Sequence, residues 1–212
     1  MLKTTVALMS LAFSLSSFAW PGGSFGKLYR GKMQQEVTIS YADDIVEAKT
    51  FKTKCRGNTN YKHKNEYYNY SSAYNCRGNK STDGNLRLKE VDGALYETNY
   101  RGDVNSDDAV GVPLENGMDV QFSATRKMMV PQFKLDEKGC PTREMKREEV
   151  ELSRSLNLNV EQNGDELVVV RETSTQRVVP VRIKLENCDR PFYNKHVIST
   201  FHSVIQGTLE KH

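Results

Sequence analysis

Apolar and polar residues trade places at nearly every step through much of this chain. Val150, Leu152, Leu156, Leu158 and Val160 hold even positions while Glu151, Ser153, Ser155, Asn157 and Asn159 fill the odd ones, and Arg154 alone breaks the apolar set. A period of two puts the sets on opposite sides of a strand, so this stretch reads as a half-buried β-strand. Asn163-Gly164 and the run ELVVVR follow it, and such a dipeptide between alternating runs predicts a tight hairpin. A third run, VVPVRIKLE, sets Val179, Val181, Ile183 and Leu185 against Arg182, Lys184 and Glu186, completing a three-stranded meander.

The same signals recur upstream. EVTISY places Val37, Ile39 and Tyr41 on one face, Asp92-Gly93 joins NLRLKEV to ALYETNY, and Asn116-Gly117 precedes Met118, Val120, Phe122 and Ala124 in alternation. The stretch HVISTFHSVIQGTL is too rich in β-branched residues for an easy helix. Only TREMKREEV, residues 142–150, offers a short helix, in competition with a strand extension. About ten to twelve short strands with regular turn signals predict an all-β antiparallel sandwich or barrel.

The first 19 residues have a different character: Lys3, an apolar stretch, then Ser17 and Ala19 at the spacing of a cleavage site. That is the layout of a secretory signal peptide, and its apolar stretch falls short of the roughly 20 residues of a membrane span. The expected product is a single all-β domain over 20–212, secreted or periplasmic, without a membrane span after cleavage. Losing Lys3 leaves 29 basic residues against 27 acidic, a net charge of +2. With no long block of one sign, the charges read as an ordinary solvated surface, and nucleic acid is not an expected partner.

Export decides how the four cysteines are read. Cys55, Cys76, Cys140 and Cys188 include neither a CxxC nor a Cys/His cluster, so a disulfide framework precedes zinc or redox chemistry. The pairing Cys55 with Cys76 and Cys140 with Cys188 is favoured. The tetrapeptide CRGN at both 55–58 and 76–79 then reads as two strand ends sharing one exit chemistry: Cys for the bridge, Gly for a positive backbone angle, Asn for the turn.

Between those cysteines lie Tyr61, Tyr67, Tyr68, Tyr70 and Tyr74, half of the chain's ten tyrosines, among asparagines and Lys62, His63 and Lys64. Tyr with Asn and Ser suits a binding surface, which makes Tyr61, His63, Tyr67, Tyr68 and Tyr70 the candidate contacts. The competing reading is structural: on a strand, Tyr68, Tyr70, Tyr74 and Cys76 share one face and cover a core, with Tyr67 opposite. Asp103, Asn105 and Asp107 follow the opening of a calcium loop, but Asp108 stands where Gly is required and Leu114 where a carboxylate should close the shell. Calcium is therefore a weak candidate and no other cofactor is expected.

His196 and His202 fall roughly 20 Å apart along one strand and cannot share a metal. No GxSxG, HExxH or phosphate-binding glycine loop occurs. The expected function is a non-enzymatic binding or structural role outside the cytoplasm, with a polysaccharide or cell-surface protein as partner. The alternatives are a secreted hydrolase with paired carboxylates, 5–10 Å apart on the scale glycosidases use, and a β-barrel ligand carrier.

Overall fold

The computed structural model describes residues 26–42, 46–77, 79–188 and 192–212; the expected signal peptide and the Trp20–Ser24 stretch lie outside them. Ten strands follow in chain order: β1 Lys27–Tyr41, β2 Lys49–Lys64, β3 Tyr67–Cys76, β4 Asn79–Val91, β5 Ala94–Glu97, β6 Gly111–Leu114, β7 Gly117–Leu135, β8 Pro141–Asn163, β9 Glu166–Lys184 and β10 Phe192–Lys211. Each pairs antiparallel with its sequence neighbours and β10 returns to β1, closing the barrel.

Hairpin chemistry sets several of these joins. Val91 pairs with Ala94, leaving Asp92 and Gly93 as the turn, at φ 51° and 77°. Two consecutive left-handed residues match the right-handed twist of the strands, and Asp-Gly tolerates them. Asn163 pairs with Glu166, so the β8–β9 turn is Gly164-Asp165, with Gly164 alone left-handed at φ 64°. Leu114 pairs with Gly117, which puts Glu115-Asn116 at the corner and Gly117 in the strand. A Cβ on Gly117 would lie 1.8 Å from the Val160 carbonyl oxygen, so this glycine serves close strand packing.

One set of alternating positions faces inward. Tyr29 and Met33 of β1, Tyr61 of β2, Tyr68, Tyr70 and Tyr74 of β3, Leu88, Leu95, Met118 and Val120, Leu158 and Val160, Leu167 and Val169, and Ile205 and Leu209 form one buried cluster. It fills the end of the barrel where all ten strands are present. Beyond it β3 and β4 have ended at their Cys76–Asn79 turn, and β5 and β6 are four residues each, so the wall continues only through β7, β8, β9, β10, β1 and β2.

Past Arg154 and Thr175 the β8–β9 pairing stops, and the β7–β8 and β9–β10 hairpins run on as two arms. Where β1 no longer covers β10, the β7 edge meets it: the His196 ring Nδ1 lies 2.8 Å from the Pro131 carbonyl and Gln132 Nε2 donates to the His196 carbonyl at 2.7 Å. Val130, Leu152 and Val197 are buried on the arms. A disulfide, Cys140–Cys188, ties the tips together, while Cys55–Cys76 joins directly paired residues of β2 and β3. Both bridges have the expected pairing.

Three local expectations are corrected. Residues 142–150 are strand, because β8 pairs with β7 from Met145 to Val150 and again at Pro141, across an irregularity between Phe133 and Leu135. ELVVVR and VVPVRIK belong to one 19-residue strand, β9; the polar break between them marks where β9 leaves the packed core, not a turn. The first CRGN lies mid-strand: Gly57 is pressed against Met33 and shows no positive φ, and only the second repeat ends a strand, with Arg77 at φ 49°.

Candidate functional site

The tyrosines occupy the barrel interior. Tyr61 is 1 % exposed and Tyr68 and Tyr70 are 2 % exposed, so these candidates pack the core and offer no ring to an outside partner. Their hydroxyls are treated differently. Tyr70 and Tyr74 hydroxyls are 2.5 Å apart, and Thr59 Oγ1 and Ser72 Oγ are 2.7 Å apart beside them. Tyr68 donates to Glu90 at the rim, at 3.2 Å. Tyr29 and Tyr61 hydroxyls are buried with no partner among the described residues. Burial, aided by the negative charges of Glu90 and Asp83 respectively, pushes the Tyr68 and Tyr74 hydroxyls up to about 12, and burial raises Tyr61 and Tyr70 as well.

Across the interior from Tyr74, Arg171 of β9 grips Asp83 of β4 with its Nε 2.8 and 2.7 Å from the two carboxylate oxygens. Both side chains are nearly buried, and the guanidinium stands 5.6 Å from the Tyr74 ring centroid. Arg171 pairs with Leu158 in register. This ion pair therefore marks the level at which the packed core gives way to the thinner-walled half.

His63 stacks on Tyr68 at 4.1 Å and its Nε2 lies 2.8 Å from the Asn65 carbonyl, a rim contact. Tyr67 is the exception among the candidate rings, for it points outward, half-buried, with the Lys89 ammonium 5.6 Å from its centroid. In the 98–110 loop, Asn99 donates to the Asp103 carboxylate at 3.0 Å and accepts from the Arg101 and Asp103 amides. Asp103, Asn105 and Asp107 are exposed, and no cluster of three or more His, Cys, Asp or Glu side chains suited to a metal occurs among the described residues.

The surface around Tyr67 carries what the linear charge reading missed. On β2 the outward positions are Thr50, Lys52, Lys54, Arg56, Asn58, Asn60, Lys62 and Lys64. β1 adds Arg30 and Lys32, with Lys32 paired to Arg56 and Gln34 to Lys54, and the β3–β4 turn adds Arg77 and Lys80. Glu36 is the carboxylate among the outward positions of β1 to β4, and Lys52 already holds it at 3.1 Å. Alternation hides this face in the sequence, since Arg30, Lys32, Lys52, Lys54, Arg56 and Lys62 are each followed by an inward residue. The period-two run Lys52, Lys54, Arg56 and the pair Lys62, Lys64 were the legible signal.

The two CRGN repeats meet here. The Cys55–Cys76 bridge lies on the inward side and brings the exposed Arg56 of β2 and Arg77 of the β3–β4 turn close together. Toward β10 the face borders an open cleft of about 700 Å³ whose lining includes Gln34, Thr38, Lys54, Arg77, His202 and Gln206.

Three carboxylates elsewhere are drawn toward the anionic form. His202 Nε2 is 2.6 Å from Glu172, and that bond together with one from Asn157 draws the Glu172 carboxyl below its ordinary range. Lys134 does the same to Glu144, and Lys211 to Asp165. Among the described residues no helix is long and apolar enough to cross a membrane, and the charged outward face of β1 to β4 is the inverse of a lipid-facing barrel wall. Comparison of the chain with protein-family models, with curated proteins and with solved structures gives no match, so the site is read from its own residues.

Proposed function

We propose that this is an exported, non-enzymatic binding protein whose outer β1–β4 face engages an acidic polysaccharide. The observation that carries the reading is the segregation of charge: a chain of net charge +3 gathers Arg30, Lys32, Lys54, Arg56, Arg77 and Lys80 on one sheet surface where Glu36 is already neutralised. Like charges collected on one face raise each other's energy and attract polyanions. Between them stand Gln34, Asn58, Asn60, Asn69, Ser71 and Thr82, groups that exchange hydrogen bonds with sugar hydroxyls.

Two other polyanions fit less well. Single-stranded nucleic acid is held by aromatic platforms, and this face offers Tyr67 alone. An anionic membrane surface is bound most firmly where apolar side chains enter the lipid boundary, and the large exposed apolar residues lie elsewhere, apart from Val91 at the β4 end. A glycosidase acid needs a raised carboxyl, while Glu144, Asp165 and Glu172 are each held below the ordinary carboxylate range.

Cosedimentation with an insoluble uronate or sulfated polysaccharide, neutral cellulose and immobilised duplex DNA as parallel arms, tests the proposal. The acidic glycan should retain the mature, oxidised protein at low salt and release it on the order of 0.5 M salt, as screening predicts. Lys54→Ala/Arg56→Ala/Arg77→Ala should weaken retention about tenfold or more. Retention by cellulose, tighter binding to DNA, or an unaffected triple variant would overturn the reading.

A further inference from the structure

The thinner-walled half of the barrel presents its inward face to solvent. Inward positions follow from the register that continues out of the core: Met33 pairs with Cys55, then Gln35 with Thr53 and Val37 with Phe51. Phe51 is nonetheless 51 % exposed, and on β7 the inward Met128 is 37 % exposed, with Ala124 and Arg126 exposed beside it. Val37, Ile39, Phe122, Leu156 and Phe201 on the same face are only half-buried. The cause is the missing wall, since β3 to β6 do not reach this level.

We infer that this trough holds an acyl chain with an anionic end. Apolar rings and branched chains left open to water on the inside of a barrel form a patch that an apolar ligand would cover. Charge fixes the polarity of that ligand. The inward positions of this stretch, 35–41 on β1, 49–53 on β2, 122–128 on β7, 150–156 on β8, 173–179 on β9 and 197–203 on β10, contain Lys49, Arg126, Arg154 and Arg177 and no Asp or Glu. Arg177 is stacked 5.8 Å from the Phe201 centroid, and Arg126 pairs in register with Leu152, one step from Arg154.

The register also orders the parts of the site. Phe51, Val37, Leu156 and Phe122 occupy the level above the Arg171–Asp83 pair, while Arg126 and Arg177 lie about 13 Å further along the strands, four residues at roughly 3.3 Å. Leu152 is level with Arg126, and above them Val130 and Val197 close the arms. A chain laid along the trough places its tail over the phenylalanines and its head between the arginines. A carboxylate or a phosphate head satisfies this chemistry equally, so a free fatty acid and a lysophospholipid are both candidate sources.

Titration of mature, oxidised protein with a fluorescent polyene fatty acid, followed by displacement with palmitate, hexadecyl phosphate, lysophospholipid or hexadecanol, tests the inference. Saturable binding, displaced by the charged amphiphiles at least about tenfold better than by the alcohol, is expected. Palmitate outcompeting lysophospholipid identifies a free acid as the source, and the converse identifies a lipid. Phe51→Asp, at an exposed position that tolerates polarity, should weaken every ligand. Arg126→Ala should weaken the acids and leave hexadecanol unchanged. Absence of saturable binding, or full affinity in Phe51→Asp, overturns the site; equal loss of acid and alcohol in Arg126→Ala overturns the assigned head. The Lys54/Arg56/Arg77 variant should bind the probe normally, which separates this site from the outer face.

Discussion

Two buried tyrosines make opposite predictions for the same chemical change. Tyr70 shares its hydroxyl with Tyr74, so Tyr70→Phe removes a buried hydrogen bond and should cost about 1 kcal/mol of unfolding free energy in a urea titration. Tyr61 has a buried hydroxyl with no partner among the described residues. Deleting an unsatisfied polar atom removes its desolvation cost, so Tyr61→Phe should leave stability unchanged or raise it. Asp83→Asn is the severe change, because it leaves the nearly buried Arg171 charge uncompensated; a loss of about 3–5 kcal/mol is expected. The raised tyrosines also predict alkaline behaviour. Folded Tyr68 and Tyr74 keep their protons to about pH 12 whereas the unfolded chain releases them near 10, so stability is full below 10 and falls as pH rises toward 12. Tyrosinate absorbance of these rings should appear together with loss of the folded signal; ionisation with the barrel intact would show that these hydroxyls reach water in the folded state.

At the scale of elements, the arms and the closed barrel differ in what holds them. Cys140–Cys188 joins loops 48 residues apart, a constraint worth about 4 kcal/mol on the chain-entropy scale. The arm strands are polar on much of both faces and share the small Val130, Leu152 and Val197 core. Cys140→Ser/Cys188→Ser should therefore raise amide exchange through 126–134 and 143–153 while Leu167, Val169, Ile205 and Leu209 in the main cluster stay protected. Uniform acceleration through both regions would show arms and barrel to be one cooperative unit. The same polarity explains why 142–150 was ambiguous from sequence. Apolar alternation reports burial on one face, and a strand whose two faces are both wet carries no such signal even though Met145 to Val150 pair with β7 residue by residue.

For the whole molecule, closure of the barrel is what converts alternation into function. The β1–β4 hairpins set cations dispersed from Arg30 to Lys80 side by side, and closure through β10 turns that surface outward and borders it with the cleft at His202 and Gln206. Raising salt should abolish binding of an acidic polymer to that surface and weaken fatty-acid binding in the trough by no more than the head's share, about tenfold, since screening acts on exposed charges such as Arg126 and not on apolar burial. A common salt dependence for both would point to a single site.

Strand content, the turn at Asp92-Gly93, the shared face of Tyr68, Tyr70, Tyr74 and Cys76, and the Cys55–Cys76 pairing were legible because each depends on local alternation, left-handed turn chemistry or the pairing of neighbouring segments, and Cys140–Cys188 is then the pair that remains. Arg154 was visible as a flaw in an apolar face, but its meaning was not: it stands where the packed core ends, and only the short β5 and β6 reveal that the wall is absent there. Whether a tyrosine lies in a core or on a binding surface, and whether scattered lysines form a patch, depends on which faces the closed sheet turns inward and which strands it sets side by side. Those are long-range pairings. Local sequence carries the period of each strand, and tertiary structure alone decides what each period faces.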